Sequence, residues 1–342
     1  AWDITRGGLT EGGDSIVVAI VDGGFDITHP DIHFHKNYSD PPNAFDDDLN
    51  GYIDDYDGWN AGNNTGTITS ASHGTHLCGI VGGIGNNSIG VAGVNWNVQI
   101  MPVIYGTLTD ANAIASYTYV LDSKREWLNS NGAKGAFIVA TNSSFGIDLQ
   151  QPSAHPLWCA MYDSLGSVGI LSAAATANQN YNIDTQGDMP TACPSNYLIT
   201  VTNTRADDTK GTAGYGATTI DLGAPGTNIY STLPSNNYGT MTGTSMATPH
   251  VAGAVALIYS IPCAAFQTAV HNDPAGTALL VKQFILQGVD SVTDLIGTTV
   301  SNGRLNIYKS LMLAMSHFGC PVGVNEISAN EKFPMTISPN PS

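Results

Sequence analysis

The sequence predicts an α/β protein of three layers, in which a mostly parallel central sheet is flanked by helices on both faces. Through the first two-thirds of the 342 residues, short apolar runs alternate with helical patterns. That alternation is typical of βαβ units and of a parallel sheet. The runs are almost continuously apolar, as expected of strands that are buried on both faces.

The predicted elements follow one another in chain order. The first strand, SIVVAIVD, ends on an acidic residue, and Gly132 lies just beyond the longest helix as a stop signal. We expect strands at 15–22, 98–104, 135–142, 168–174 and 197–203, and helices at 73–83, 111–129, 157–165 and 248–259. No internal repeat or Pro- or Ser-rich linker interrupts the chain before about residue 320, so we predict one domain over 1–320. The segment 321–342 lacks periodicity and is expected to be a linker or the start of a truncated module.

Charge and hydropathy exclude two classes of partner. The chain carries 11 Lys and Arg against 28 Asp and Glu, which argues against nucleic-acid binding. No run of about 18 apolar residues occurs, which argues against membrane insertion. The acidic balance is consistent with solubility and also with carboxylate clusters that bind hard cations. We take a monomer as the default state.

The five cysteines are not arranged as CxxC pairs, which disfavours a zinc ribbon or a thioredoxin motif. An odd number fits two disulfides and one free thiol. Cys78 lies in an apolar run and is expected to be the free thiol. Cys159–Cys193 and Cys263–Cys320 are the preferred pairs, although the sequence alone does not fix the connectivity. Disulfides would indicate an oxidising compartment.

Two segments in the first quarter of the chain supply an acid and a base. Asp22 ends a buried strand, which is where α/β folds place ligand chemistry, but it could also be a turn-capping aspartate. His73 is expected in the first turn of a helix that Ser72 or an upstream residue caps. The alternative for His73 is a surface histidine. His76 is a competing base that we expect to be buried and structural.

Two other segments contain a candidate nucleophile and a candidate hydrogen-bond donor. Ser245 lies in GTSMATPHVAG before an apolar helix. A serine in this position usually only caps the helix. It could also be functional, because the helix end supplies positive potential near developing negative charge. Pro249 removes a helical hydrogen bond and is expected to kink the helix near the site. Asn178 follows a strand and could donate to an oxyanion, or stabilise a turn.

The segments VDGGFDITHPD, SHGTHLCGIVGG and GTSMATPHVAG together resemble the subtilisin-like (subtilase) family of secreted bacterial serine proteases. Their order Asp, His, Ser is that of the family, and AWDITRGG, SSFG and DLGAPG resemble further blocks of it, over residues 1 to about 317. The resemblance implies the subtilisin-like fold and an endopeptidase that acts on proteins or peptides through an acyl-enzyme on Ser245. Asp22 would orient His73, and His73 would act as base and then as acid. Asn178 and the Ser245 N–H would form the oxyanion hole, although Ala177 stands where the family commonly has glycine.

The resemblance also implies that the substrate binds as an added strand. The predicted positions are Ser144, Phe145 and Gly146 on one edge, Gly106, Thr107 and Leu108 on the other, and Ala174, Ala175 and Thr176 on the wall of the primary pocket. Small residues there predict a roomy, apolar pocket, and Phe145 could instead be packed in the core. Asp188 is a candidate for the pocket floor, where it would favour basic side chains.

Two loops are candidate Ca²⁺ sites. In 46–52, oxygen-bearing residues alternate as D-x-D-x-N-G-x, with a glycine at the sharp turn. The predicted ligands are Asp46, Asp48, Asn50, the carbonyl of Tyr52, and Asp55 in preference to Asp54 or Asp57. GNNSIGVAGV resembles a second calcium loop of subtilases, with Asn87, Asp31 and the carbonyls of Ile89 and Val91 as ligands. The alternatives are an acidic surface loop and an ordinary Asn-rich turn.

The sequence disfavours two other functions. An esterase of the α/β-hydrolase type is disfavoured because the segment around Ser245 reads GTSMA and not G-x-S-x-G. An inactive binding module is disfavoured because all three residues of the triad are present.

At the ends, AWDITRGG reads as a processed N-terminus, and NEISANEKFPMTISPNPS resembles the beginning of a type IX secretion sorting domain of Bacteroidetes. We therefore expect a secreted, extracellular protein.

Overall fold

A nine-stranded sheet forms the centre of the structure, a computed structural model that describes residues 1–321. The strands within these residues are β1 (Ile16–Asp22), β2 (Trp59–Asn60), β3 (Gln99–Ile104), β4 (Phe137–Ser143), β5 (Ile147–Asp148), β6 (Leu171–Ala175), β7 (Asp188–Met189), β8 (Leu198–Thr204), β9 (Leu222–Pro225), β10 (Ile229–Leu233), β11 (Asn237–Met241), β12 (Asp290–Ser291) and β13 (Gly303–Arg304). The helices are α1 (Ser72–Gly82), α2 (Asp110–Asn129), α3 (Pro156–Gly166), α4 (Ile183–Gln186), α5 (Thr244–Ile258), α6 (Ala264–Asn272), α7 (Pro274–Gln287) and α8 (Ile307–His317).

The large sheet is parallel except at one edge. Its strand order is β12-β13-β9-β8-β6-β4-β1-β3-β2, and only the β12–β13 pair is antiparallel. Strands β10 and β11 form a separate hairpin, and β5 and β7 form a second small antiparallel pair. The predicted mostly parallel sheet is therefore confirmed.

Side chains of β1 alternate between two apolar clusters, one on each face of the sheet. Ile16, Val18 and Ile20 pack into the cluster that includes α1 and α5, and the residues between them pack into the cluster that includes α2 and α3. This alternation follows from the two-residue period of a strand. Because helices cover both faces, the three-layer architecture is also confirmed.

The predicted elements are present, with shifted ends. The helix predicted at 248–259 begins four residues earlier, at Thr244, so that Ser245 lies inside its first turn. Helix α1 begins at Ser72, and its N-cap is Ala71, so no side chain caps this helix. The hairpin β10–β11 and helices α6 to α8 were not among the predicted elements. No helix within residues 1–321 is long and apolar enough to cross a membrane. Apart from Pro321, the predicted C-terminal segment 321–342 lies outside the described residues.

The preferred cysteine pairing is confirmed. Cys159 on α3 is bonded to Cys193 in the loop after β7, and Cys263 at the start of α6 is bonded to Cys320 after α8. Cys78 is a free thiol, buried in the core. The second disulfide closes a loop that contains α6, α7 and α8, with a sequence separation of 57.

Replacing Cys263 and Cys320 together by alanine should lower the free energy of unfolding by roughly 4 kcal/mol, because the cross-link restricts a long loop in the unfolded chain. The change is measured as a lower midpoint in urea under oxidising conditions. Cys78→Ala is the matched control: it removes a thiol outside both disulfides and should leave the response to reductant unchanged. Equal midpoints for the wild type and the double variant would contradict the prediction.

Candidate active site

The residues predicted to be catalytic lie at the carboxyl edge of the sheet. Strand β1 ends at Asp22, and the segments that follow β4 and β6 lead into Ser144 and Asn178. Helices α1 and α5 begin at the same edge. Strand β3 lies on one side of β1 and β4 lies on the other, which makes this a point where the strand order reverses. Crevices at such points are the usual ligand sites of open parallel sheets.

Asp22 and His73 form a hydrogen-bonded pair across 51 residues of sequence. The distance between Asp22 Oδ2 and His73 Nδ1 is 2.8 Å, and Asp22 Oδ1 accepts from the N–H of Gly23 at 2.7 Å. The carboxylate is buried, whereas 40% of the histidine side chain is exposed. This contact places the ring proton on Nδ1 and leaves Nε2 as the basic nitrogen. Burial lowers the pKa of His73, but the hydrogen bond and the charge of Asp22 outweigh it, so the pKa lies above its usual value.

Ser245 and Ser144 exchange two hydrogen bonds. The Ser144 hydroxyl donates to the carbonyl oxygen of Ser245 at 2.9 Å, and the Ser245 hydroxyl donates to the carbonyl oxygen of Ser144 at 3.3 Å. In a regular helix the Ser245 carbonyl would accept from the N–H four residues later. That residue is Pro249, which has no N–H, and the helix continues through it. The proline therefore leaves the carbonyl free for Ser144.

Thr244 holds Asn178 in one orientation. Its backbone N–H and its hydroxyl both lie within hydrogen-bonding distance of Asn178 Oδ1, at 2.9 and 3.1 Å. With its oxygen used in this way, the Asn178 amide has its two N–H donors left for a ligand. The sequence analysis missed this role of Thr244. The signal was its position directly before Ser245, but nothing in the sequence indicated that Thr244 contacts Asn178.

His76 is structural, as expected. It is fully buried, and its Nε2 lies 3.0 Å from the carbonyl oxygen of Ile229 and 3.1 Å from that of Gly239, both in the β10–β11 hairpin. A nitrogen that faces two carbonyl oxygens carries a proton and cannot act as a base. Burial lowers the pKa of His76, in the opposite direction to His73.

A cavity of about 180 Å³ opens beside Ser245 and Asn178. The predicted pocket residues that line it are Ser144, Phe145, Gly146, Ala175 and Thr176. Ala174 does not line it, contrary to the prediction, because alternate residues of β6 face opposite ways and Ala174 packs fully buried in the core.

The other predicted edge lies outside this cavity. The segment of Gly106, Thr107 and Leu108 follows β3 directly after Tyr105. The ring of Tyr105 packs on Phe145, with 4.8 Å between ring centroids. The two segments predicted to flank the substrate are therefore neighbours.

The cavity is not apolar, because two carboxylates line it. Asp148 and Asp188 lie opposite each other in the β5–β7 pair. Burial raises the pKa of Asp188 to about 7, although hydrogen bonds from Thr191 and Thr176 oppose the shift. The prediction of an apolar pocket is wrong, since it considered only the small residues of the wall. The suggestion that Asp188 lies at the pocket agrees with the structure.

The first candidate calcium loop brings carboxylates together around amide groups. Asn37 Nδ2 donates to both Asp48 and Asp55, at 2.9 and 2.6 Å, and Asn50 Nδ2 lies 3.3 and 3.2 Å from the same two carboxylates. The backbone N–H of Asn50 faces Asp46 at 3.1 Å. Burial raises the pKa of Asp55 to about 7. Within residues 1–321, no three acidic, histidine or cysteine side chains converge closely enough to hold a metal as they stand.

The second candidate loop surrounds Asp31, which is fully buried. Its carboxylate accepts from the amide of Asn87 at 2.6 Å and from the N–H of Val91 at 2.9 Å. Asn86, Ser88 and a glycine between them and Val91 have positive φ, so the loop curls tightly around the carboxylate. These contacts connect the predicted ligands Asp31 and Asn87.

Comparison with known proteins identifies the family of the chain. The subtilase family model matches residues 13–296. The chain is 32% identical over 250 residues to subtilisin amylosacchariticus of Bacillus subtilis subsp. amylosacchariticus, covering 72% of this chain and 56% of that protein. It is 30% identical over 273 residues to subtilisin-like protease 1 of Plasmodium berghei (strain Anka), covering 71% of this chain and 42% of that protein.

The fold also matches a solved structure. The crystal structure of a cold adapted subtilisin-like serine proteinase superposes with a TM-score of 0.61 at 23% identity, covering 87% of this chain and 90% of that one. The chain spans little more than half the length of the first of these curated relatives and less than half of the second. From the extent of the family match, the chain belongs to the subtilase family.

Proposed function

We propose that the chain is a secreted serine endopeptidase that hydrolyses peptide bonds of proteins through an acyl-enzyme on Ser245. The observation that carries the proposal is the Asp22–His73 hydrogen bond at the sheet edge where α5 presents Ser245. The names of the relatives, subtilisins and subtilisin-like proteases, agree with it.

Each residue has a separate role in the proposed reaction. When a substrate enters, the Ser245 hydroxyl turns from the Ser144 carbonyl to Nε2 of His73, which takes its proton as Oγ attacks the scissile carbonyl. Asp22 keeps the imidazole oriented and stabilises its positive charge. His73 then returns the proton to the leaving amine, and water repeats the sequence on the acyl-enzyme.

The negative charge of the tetrahedral intermediate would be stabilised from two directions. The amide N–H groups of Asn178 are available because Thr244 occupies its oxygen. The backbone N–H of Ser245 lies in the first turn of α5, where N–H groups have no partner inside the helix. The dipole of the helix adds positive potential at the same place.

The peptide substrate would lie as an added strand between two neighbouring segments. The edge at Ser144–Gly146 lines the cavity, and the edge at Gly106–Leu108 lies beside it through the contact of Tyr105 with Phe145. Secretion is supported by the two disulfides, which persist in oxidising compartments.

Structural calcium forms part of the proposal. The donors fit this ion, because Ca²⁺ prefers carboxylate, amide and carbonyl oxygens. Asp46, Asp48, Asn50, the Tyr52 carbonyl and Asp55 would hold one ion. Asp31 and Asn87 would hold another with neighbouring carbonyls. The bound ions would offset the repulsion between gathered carboxylates, with no part in the chemistry.

A fluorophosphonate probe should label the wild type on Ser245 and leave Ser245→Ala unlabelled, because only an activated serine reacts. Asn178→Ala should lower kcat for a peptide substrate by about 10²- to 10³-fold with little change in KM, since the amide acts only in the transition state. The matched control is Gln179→Ala, which removes the neighbouring exposed amide and should have the activity of the wild type. A wild type that carries no label on Ser245 would favour a binding module instead.

Asp22→Asn should move the acid limb of the pH–rate profile to lower pH. The base must be neutral to accept the serine proton, so activity appears as pH rises through the pKa of His73. Removing the charge of Asp22 lowers that pKa, and kcat should also fall, on the order of 10⁴-fold, as the tautomer changes. The pKa can be followed independently in the imidazole NMR signals, with His73→Ala for assignment.

Asp26→Asn is the control for this experiment. Asp26 lies in the same segment but is bonded to Thr28 and Ser235 and not to His73. It should leave the acid limb in place. An acid limb that stays fixed or moves to higher pH in Asp22→Asn would refute the proposed role of Asp22.

Excess chelator should lower the melting temperature of the inhibited enzyme, because an ion that binds only the folded state stabilises it by about 2.7 kcal/mol at 100 times its Kd. Asp48→Asn should lower the melting temperature in calcium but not in chelator, where it removes one of several repelling charges. Asp207→Asn removes an equal charge from an exposed loop and should leave the melting temperature unchanged both in calcium and in chelator. No shift with excess chelator would count against both sites.

A further inference from the structure

Two carboxylates face one cavity at the proposed reaction centre. Asp148 on β5 and Asp188 on β7 are directly opposed in an antiparallel pair. Opposed residues point to the same face of a sheet, with Cβ atoms about 4.5–5.5 Å apart. Both line the cavity that also contains Ser245, so a ligand that reaches one carboxylate is close to the other.

The hydrogen bonds of Asp188 occupy only one of its oxygens. Oδ2 accepts from the N–H of Ala177 at 3.1 Å, from the hydroxyl of Thr176 at 3.2 Å, and from the hydroxyl of Thr191. No hydrogen bond to Oδ1 forms among residues 1–321. The three donors therefore fix the carboxylate and leave its second oxygen for a ligand.

The pair has no positive partner in the described part of the chain. Like charges that are directly opposed in a sheet repel each other. Asp148 raises the pKa of Asp188 further, in addition to the larger effect of burial, and no Lys, Arg or His side chain opposes the shift. A cation that entered the cavity would supply the missing charge.

Size alone does not decide which side chain enters. The cavity of about 180 Å³ has the volume of roughly six waters, at about 30 Å³ each. Arginine and phenylalanine both have six non-hydrogen atoms beyond Cβ, so either is of suitable size. An aromatic ring would displace water from Asp188 without replacing its hydrogen bonds, which is unfavourable, whereas a guanidinium or ammonium group would donate to it.

We infer that the pocket beside Ser245 selects a lysine or arginine at P1, the residue whose carbonyl is attacked, through Asp188 with Asp148. This inference rests on the proposed function, because it needs cleavage at Ser245. The net charge of −17 acts in the same direction, since it attracts cationic segments of a substrate over longer distances.

The test compares three peptides that differ only at P1: arginine, citrulline and phenylalanine. Citrulline has the shape of arginine without its charge, and phenylalanine has a similar size. We expect the wild type to cleave the arginine peptide with a kcat/KM at least about 30-fold above that of the citrulline peptide, the loss typical of removing one partner of a buried charge pair. A ratio of arginine to citrulline below threefold would overturn the inference.

The variant Asp188→Asn should abolish the preference for arginine and keep or raise cleavage of the phenylalanine peptide. The asparagine oxygen can still accept from Thr176, Ala177 and Thr191, so the pocket keeps its shape. Asp148→Asn should reduce the ratio by less, because Asp148 is more exposed. Glu11→Gln, an exposed acid outside the pocket, controls for net charge and should leave the ratio unchanged. An unchanged ratio in Asp188→Asn would also overturn the inference.

Failure of the proposed function gives a different result. If that proposal is wrong, none of the three peptides is cleaved and the fluorophosphonate leaves Ser245 unlabelled. If only the pocket inference is wrong, Ser245 is labelled and the phenylalanine peptide is cleaved without an advantage for arginine. If Asp188→Asn does not fold, the wild-type ratio and its reduction in Asp148→Asn decide the inference.

Discussion

Two hydrogen bonds between Ser144 and Ser245 join the end of β4 to the start of α5, and the rest of the site depends on that junction. On one side, Ser144 leads into the edge that lines the cavity. On the other, Ser245 is followed by a buried helix that packs across the sheet. One of the two bonds uses the Ser245 carbonyl, which is free because Pro249 cannot donate to it. A residue that weakens the helix locally therefore helps to hold Ser245, the proposed nucleophile, against the predicted substrate edge.

The residue before Ser245 also positions groups on another side of the cavity. Thr244 precedes Ser245, and its hydroxyl lies 2.6 Å from the carbonyl oxygen of Thr176 and 3.1 Å from Asn178 Oδ1. Thr176 is in turn bonded to Asp188 in the cavity. The proposed oxyanion donor and the pocket carboxylate are thus held through shared neighbours. A substitution of either residue is expected to alter the position of the other, because residues in one hydrogen-bond network do not act independently.

The sequence was sufficient for the architecture, and its long motifs pointed to the residues of the proposed triad. Buried parallel strands have an almost continuous apolar pattern, and Asp22 ends one of them. His73 and Ser245 lie in the first turns of two largely buried helices. Contacts between residues that lie far apart in the chain could not be predicted from the sequence. The opposition of Asp148 and Asp188 spans 40 residues and depends on the register of a two-residue strand, which no pattern in the chain encodes. Ala174 was assigned to the wrong face because its neighbours are also small, so that the strand has no alternation from which to read a side.

His73 and His76 illustrate how surroundings, and not residue type, decide the chemistry. They lie three residues apart on α1, yet their pKa values shift in opposite directions. Asp22 supplies a negative charge to His73, whereas His76 meets only carbonyl oxygens of the β10–β11 hairpin. In return, the hydroxyls of Ser231 and Thr232 donate to carbonyls of α1 at 2.7 Å, so the hairpin holds the first turns of the helix. The structural histidine therefore helps to place the one that we propose as the base, since both belong to the helix that this hairpin anchors.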